Sequence, residues 1–213
     1  MSTLIDVIMV LLVLTNLLVL GSSRLTACIR LVAIQGVALS VLPILTQWHE
    51  LGIATVGLSA ATLAIKGVVF PLLLLRAIRE AKVQREVEPF VGYTLSIVAG
   101  LLSLVIAAWL GKRLSLVALS SPLVVPVALS MVLIGLFFVI SRKKALSQVL
   151  GYLILENGTY AFGLVLLHET PLIVELGILL DAFVAVLVMG IAIFRINREF
   201  DHIDADQLDS LKG

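Results

Sequence analysis

Pro122-Leu123-Val124-Val125-Pro126-Val127-Ala128-Leu129-Ser130-Met131-Val132-Leu133-Ile134-Gly135-Leu136-Phe137-Phe138-Val139-Ile140-Ser141 carries no charged side chain. A spanning helix needs about 20 mostly apolar residues to cross a hydrocarbon core about 30 Å thick. The run is continuous rather than alternating, so it reads as a helix and not as a barrel strand. Working outward, similar runs occupy 3–21, 28–47, 52–75 and 91–110 on one side and 148–168 and 172–194 on the other. Of the 213 residues, 61% are hydrophobic and 14% are charged, against roughly 25% charged in a soluble domain. Unpaired backbone groups are costly in lipid, so such runs must close their own hydrogen bonds as helices. The expected fold is an all-α integral membrane protein of about seven transmembrane helices, one bundle over 1–213.

The connections are short except for 76–90, which mixes both charge signs and could form a short helix at the membrane surface. Counting Lys and Arg on alternate sides gives the orientation. The side holding the N-terminus carries two, Lys112 and Arg113, and the other carries twelve, including Arg76, Arg79, Arg142 and Arg195. This predicts an N-terminus outside and a C-terminus in the cytoplasm. The opening Met1-Ser2-Thr3-Leu4-Ile5-Asp6 has no basic stretch, so the first run reads as a retained helix. A net charge of +1 gives no reason to expect nucleic acid, and the one cysteine, Cys28, precludes an internal disulfide or a CxxC site. Cys28 reads as a packing residue. No phosphate-binding glycine loop or Cys/His cluster is present, so no metal or cofactor is expected in this chain.

Lys66, Glu156 and Asp181 fall near the middle of spans. Such charges cost at least about 2.5–3.5 kcal/mol on insertion scales and are functional candidates by default. At about 1.5 Å per residue, Glu156 lies roughly 12 Å past Gln148, Asp181 roughly 13 Å past Leu172, and Lys66 roughly 13 Å before Leu75. Pro71, five residues after Lys66, should disturb the helix and free a carbonyl. Glu156-Asn157-Gly158-Thr159-Tyr160 is locally polar. Thr159 and Tyr160, three and four residues on, are expected close to the Glu156 face, as a cradle for a carboxyl that gains and loses a proton. The competing reading is a fixed ion-pair network that only locks helix packing. Glu175 sits about one turn inside the outer surface, where a carboxylate can reach the headgroups. His49-Glu50 and His168-Glu169 read as interfacial residues at helix ends.

The runs Gly151-Tyr152-Leu153-Ile154-Leu155-Glu156-Asn157-Gly158 and Glu175-Leu176-Gly177-Ile178-Leu179-Leu180-Asp181-Ala182-Phe183-Val184 closely resemble component E of hydrogenase-4. So do the ending Leu208-Asp209-Ser210-Leu211-Lys212-Gly213 and Lys66 with Pro71 in Ile65-Lys66-Gly67-Val68-Val69-Phe70-Pro71-Leu72. The resemblance spans essentially the whole chain and is densest over 148–213. It implies a membrane subunit of a group 4 nickel–iron hydrogenase, such as a formate hydrogenlyase, or of a related energy-converting complex. The nickel–iron site and iron–sulfur clusters would then lie in soluble partner subunits, with antiporter-like and anchor subunits beside this chain in the membrane. Over 148–213 the chain is similar to the K-type subunit of respiratory complex I, which carries a mid-membrane Glu on each of two helices. By that likeness Glu156 matches the first and Asp181, one methylene shorter, the second.

A parallel duplication is also expected, with helices 1–3 repeated as helices 5–7. Gln35 would then stand roughly where Glu156 does, and each third helix would carry one mid-membrane charge, Lys66 or Asp181. The functional expectation is a non-redox subunit on a proton-translocation path, with Glu156 and Asp181 exchanging protons beside Lys66. Asn157, Thr159, Tyr160, Glu175 and Gln35 would support them. The alternatives are a subunit of a multisubunit cation/proton antiporter and a structural assembly subunit.

Overall fold

The computed structural model describes residues 2–48, 51–80, 89–114 and 121–166. Among these residues every regular element is helical. In chain order they are α1 (Ser2–Gly21), α2 (Leu25–Thr46), α3 (53–80), α4 (Tyr93–Arg113), α5 (Val124–Ser141) and α6 (Ala145–Leu166). Helices α1 to α5 are long and apolar enough to cross a membrane. Helix α6 has 22 residues and packs against α5 and α2, so the chain is a multi-pass membrane protein. The expected seventh span, 172–194, lies outside the described residues, as do Asp181, Glu175, His49-Glu50, His168-Glu169 and the tail.

Helix α3 joins three parts: an α segment Ile53–Thr62, a π segment Leu63–Val69 and an α segment Phe70–Glu80. Pro71 has no N–H and cannot close a helical bond. The turn before it widens instead, and the Phe70 N–H donates to the Ile65 carbonyl five residues back. The helix therefore passes through the proline. It also runs beyond Leu75, so residues 76–80 continue α3 rather than begin a separate surface helix. The reason is burial: Ala77 and Ile78 join the same apolar cluster as Leu74. Residues 81–88 lie outside the described set.

Two apolar clusters fill the bundle. One gathers residues such as Leu20, Ile29, Phe70, Phe138 and Leu150. The other gathers residues such as Met9, Leu12, Leu39, Met131 and Ala161. On α1, α2 and α6 the polar residues Asn16, Gln35 and Glu156 lie between the stretches that belong to the two clusters. The bundle thus has a polar layer at mid-height with hydrocarbon above and below it. Helices α5 and α6 touch backbone to backbone where Gly135 meets Leu155 and Gly151. A Cβ on Gly135 would lie 2.4 Å from the Leu155 nitrogen. Small residues permit such approach, and close van der Waals packing then holds spans together where lipid offers no hydrophobic drive.

Arg142, counted among the loop cations in the sequence, is 1% exposed. Its Nη2 donates to the Leu20 carbonyl at 3.0 Å, one of the carbonyls that the end of α1 leaves without a helical partner. Its guanidinium lies 4.6 Å from the Phe138 ring centre and 5.0 Å from that of Tyr93. Arg142 therefore ties the ends of α1, α4 and α5 together. Cys28 is buried with its thiol 3.9 Å from the Val19 carbonyl, as a packing residue.

Candidate functional site: a buried lysine–glutamate pair in a polar layer

Lys66 is the buried residue of the π segment, 5% exposed. The base of its side chain rests on α2 at Gly36, where an added Cβ would lie 2.7 Å from Lys66 Cβ and 2.8 Å from its carbonyl carbon. No side chain fits there without separating the two backbones. Its tip reaches α6. Lys66 Nζ donates to Glu156 Oε1 at 2.6 Å and to Asn157 Oδ1 at 3.3 Å. It also lies 5.0 Å from the Tyr160 ring centre. Glu156 is 3% exposed, and its other oxygen, Oε2, is buried with no hydrogen-bond partner among the described residues.

The pair is one end of a longer chain. Asn157 Nδ2 donates to Gln35 Oε1 at 3.3 Å. Gln35 Nε2 donates to Asn16 Oδ1 at 2.9 Å and to Thr15 Oγ1 at 3.1 Å. Thr15 Oγ1 in turn donates to the α1 backbone, with the Leu11 and Leu12 carbonyls both at 2.9 Å. The direction of these bonds follows from the ammonium. Lys66 has protons and no lone pair, so the atom that faces it must be the Asn157 oxygen. That leaves the Asn157 amide nitrogen for Gln35, and so on to α1. One polar chain thus links α3, α6, α2 and α1 through the middle of the bundle.

Removing two charges from water costs several kcal/mol per ion, and only close geometry with further hydrogen bonds offsets it. Here the ammonium faces the Glu156 and Asn157 oxygens and an aromatic ring, while the second carboxylate oxygen has no hydrogen-bond partner among the described residues. The closeness of the pair, with Lys66 Nζ 2.6 Å from Glu156 Oε1, meets the first of those conditions.

Five residues singled out from the sequence meet here: Lys66, Glu156, Asn157, Gln35 and Tyr160. Thr159 does not join them. It is exposed, and its hydroxyl donates to the Leu155 carbonyl at 3.1 Å. The cause is helical phase: at roughly 100° per residue, Asn157 and Tyr160 fall to one side of Glu156 and Thr159 to the other. Tyr160 places its ring under Lys66 and its hydroxyl 3.2 Å from Thr62 Oγ1. Asp181 and Glu175 lie outside the described residues.

Sequence reasoning missed Thr15 and Asn16, both buried, and the hydroxyls of α3. The signal was present. Asn16 is an amide inside an otherwise aliphatic run, and Thr55, Ser59, Thr62 and Lys66 recur every three or four residues.

Among known proteins, the uncharacterized protein Rv0085 of Mycobacterium tuberculosis is 39% identical over 212 residues, covering 94% of this chain and 92% of the relative. Hydrogenase-4 component E of Escherichia coli is 38% identical over 87 residues, covering 41% of this chain and 40% of that protein. The component E match is therefore narrower than the resemblance in the motifs suggested. Residues 123–213 match the family model described as NADH-ubiquinone/plastoquinone oxidoreductase chain 4L. Glu156 and Asn157 fall inside that match, and Lys66 and Gln35 outside it. No solved structure matches the chain. The chain belongs to one family with Rv0085, and its similarity to component E and to the chain 4L model covers less than half of its length.

Proposed function

We propose that this chain is a non-redox membrane subunit of an energy-converting, complex I-like assembly of the hydrogenase type. In this reading Glu156 and Lys66 form one station on a lateral proton path. The carrying observation is the Lys66–Glu156 contact of 2.6 Å, held in a polar layer between two apolar clusters. Two partial similarities support the assembly: one to a component of hydrogenase-4 and one to the family model of a quinone oxidoreductase chain. In low dielectric, moving charge at one site changes the energy of charge at its neighbour over several ångströms. A buried pair that can be charged or neutral is a physical element through which such coupling can pass.

The electrons would be handled elsewhere. Soluble partner subunits would hold the nickel–iron site and iron–sulfur clusters, as in a formate hydrogenlyase, and antiporter-like and anchor subunits would flank this chain. Seven spans would leave the N-terminus outside and the C-terminus in the cytoplasm of a bacterial or archaeal cell, with Asp181 as the next proton site and Glu175 near the outer surface. The parallel three-helix repeat remains part of this proposal, and its last helix lies outside the described residues.

Mild-detergent purification of the tagged native protein, with mass spectrometry of what accompanies it, tests the assembly. A nickel–iron hydrogenase large subunit together with antiporter-like subunits is the expected result. Antiporter subunits without redox partners would replace this reading with a cation/proton antiporter. In the assembled complex, Glu156→Gln then separates a proton station from an ion pair that only locks packing.

A further inference from the structure

The first half of α3 is built inside out. Its aliphatic residues face outward, with Ile53 95%, Val56 53% and Leu63 42% exposed. Its buried residues are all hydroxyls: Thr55, Ser59 and Thr62, followed by Lys66 in the π segment. The spacing of four, three and four residues puts them on one helix face. Over 11 residues the stripe climbs about 16 Å, from the α2–α3 connection to the buried pair. Its outer member is tied to that connection, because Thr55 Oγ1 donates to Gln47 Oε1. Its inner member, Thr62, meets Tyr160 at 3.2 Å, and the Tyr160 ring lies under Lys66.

Packing alone does not call for this pattern. Aliphatic residues at 55, 59 and 62 would bury equally well at no polar cost. Two of the three hydroxyls have side-chain partners. Ser59 does not: it is 5% exposed, and its Oγ is buried with no hydrogen-bond partner among the described residues. Buried hydroxyls are rarely left so unless water or a ligand uses them.

We propose that this face of α3 is an access path by which water, and the proton it carries, reaches the Lys66–Glu156 pair from the Gln47–Thr55 end of the bundle. A hydroxyl both donates and accepts, so it can take a proton on a lone pair while releasing its own. Residues four apart rise about 6 Å, about twice a hydrogen-bond length, so one water bridges each gap. The relay balances. One proton enters at the Thr55 end, Lys66 gives its proton to the Glu156 carboxylate, and the freed Lys66 lone pair takes the arriving one. Ser59 is a positioning residue for the water chain and touches neither charge.

The inference rests on the proton-path reading, and the test separates the two. Because the Ser59 hydroxyl bonds to no described protein group, Ser59→Ala should leave assembly and thermal stability unchanged or slightly improved. In the intact complex it should slow proton translocation by about tenfold or more, and Ser59→Thr should restore it. Glu156→Gln is measured alongside. Translocation lost in Glu156→Gln but normal in Ser59→Ala overturns the access path and leaves the proton station standing. Normal translocation in both overturns both. Slow translocation in Ser59→Ala accompanied by a less stable complex shows a packing role and overturns the path as well.

Discussion

Lys66→Met removes the buried cation while keeping an unbranched chain of similar reach. In the native bundle Lys66 Nζ holds Glu156 Oε1 at 2.6 Å, and Glu156 Oε2 has no hydrogen-bond partner among the described residues. Without the ammonium, the Glu156 carboxyl, in a residue 3% exposed, has no hydrogen-bond partner left among the described residues. Breaking a buried pair by removing one partner costs about 3–5 kcal/mol. The lost cation–π contact with Tyr160 adds up to about 2 kcal/mol for a desolvated site. Adding Glu156→Met removes the orphaned acid, and replacing both members of a buried pair by apolar residues is neutral or stabilising by about 1–4 kcal/mol. The double variant should therefore be more stable than Lys66→Met alone, with a coupling energy above about 2 kcal/mol. Detergent-denaturation curves of the two single variants, the double variant and the native protein measure it. Effects that add to within about 0.5 kcal/mol, as for independent sites, would refute the pairing.

Gly36→Ala drives a methyl group against the Lys66 backbone, which cannot yield as a flexible side chain could. It should cost about 1–3 kcal/mol in the same curves. Gln35→Leu strips Asn157 Nδ2 and Asn16 Oδ1 of their partners, at about 1–3 kcal/mol for each buried group left unpaired. Gln35→Glu, which keeps an acceptor for Asn157, should lose less of the Asn157 contribution in a cycle with Asn157→Leu. Arg142→Met frees the Leu20 carbonyl and the two aromatic faces. A loss of about 1.5–3 kcal/mol, typical of a hydrogen bond to a charged group, should appear as a lower melting temperature and as earlier proteolysis at the α5–α6 connection.

The helices and the mid-membrane charges were legible because both are decided by one strong term. Runs such as 122–141 leave the backbone no alternative to a helix in lipid, and Lys66 or Glu156 inside such runs contradicts the local solvent. The pairing of Lys66 with Glu156 was not legible, because helix rotation depends on packing between distant residues. The contact of Gly36 with Lys66 is one such determinant, and nothing in a single sequence marks which glycine a neighbouring helix will touch. Thr159 failed for a related reason. Three and four residues from Glu156 both count as neighbours, yet the partner helix approaches from the Tyr160 side. Helix α3 outran its expected end because hydropathy falls at Arg76 while the buried stripe continues through Ala77 and Ile78. The polar layer could have been anticipated more fully. Asn16 and Gln35 are amides at corresponding depths of adjacent antiparallel spans, and such groups seek each other when water is absent.

The most direct test is the number of protons moved per electron by the intact complex in vesicles when Glu156 is replaced by Gln. The substitution keeps the side chain's size and an oxygen for Lys66 to bond, but an amide in place of the carboxyl has no site that a proton can occupy and leave. The expected result is an assembled complex that still transfers electrons and no longer translocates protons through this subunit. An unchanged proton-to-electron ratio in that complex would contradict it and leave Lys66 and Glu156 as a packing pair.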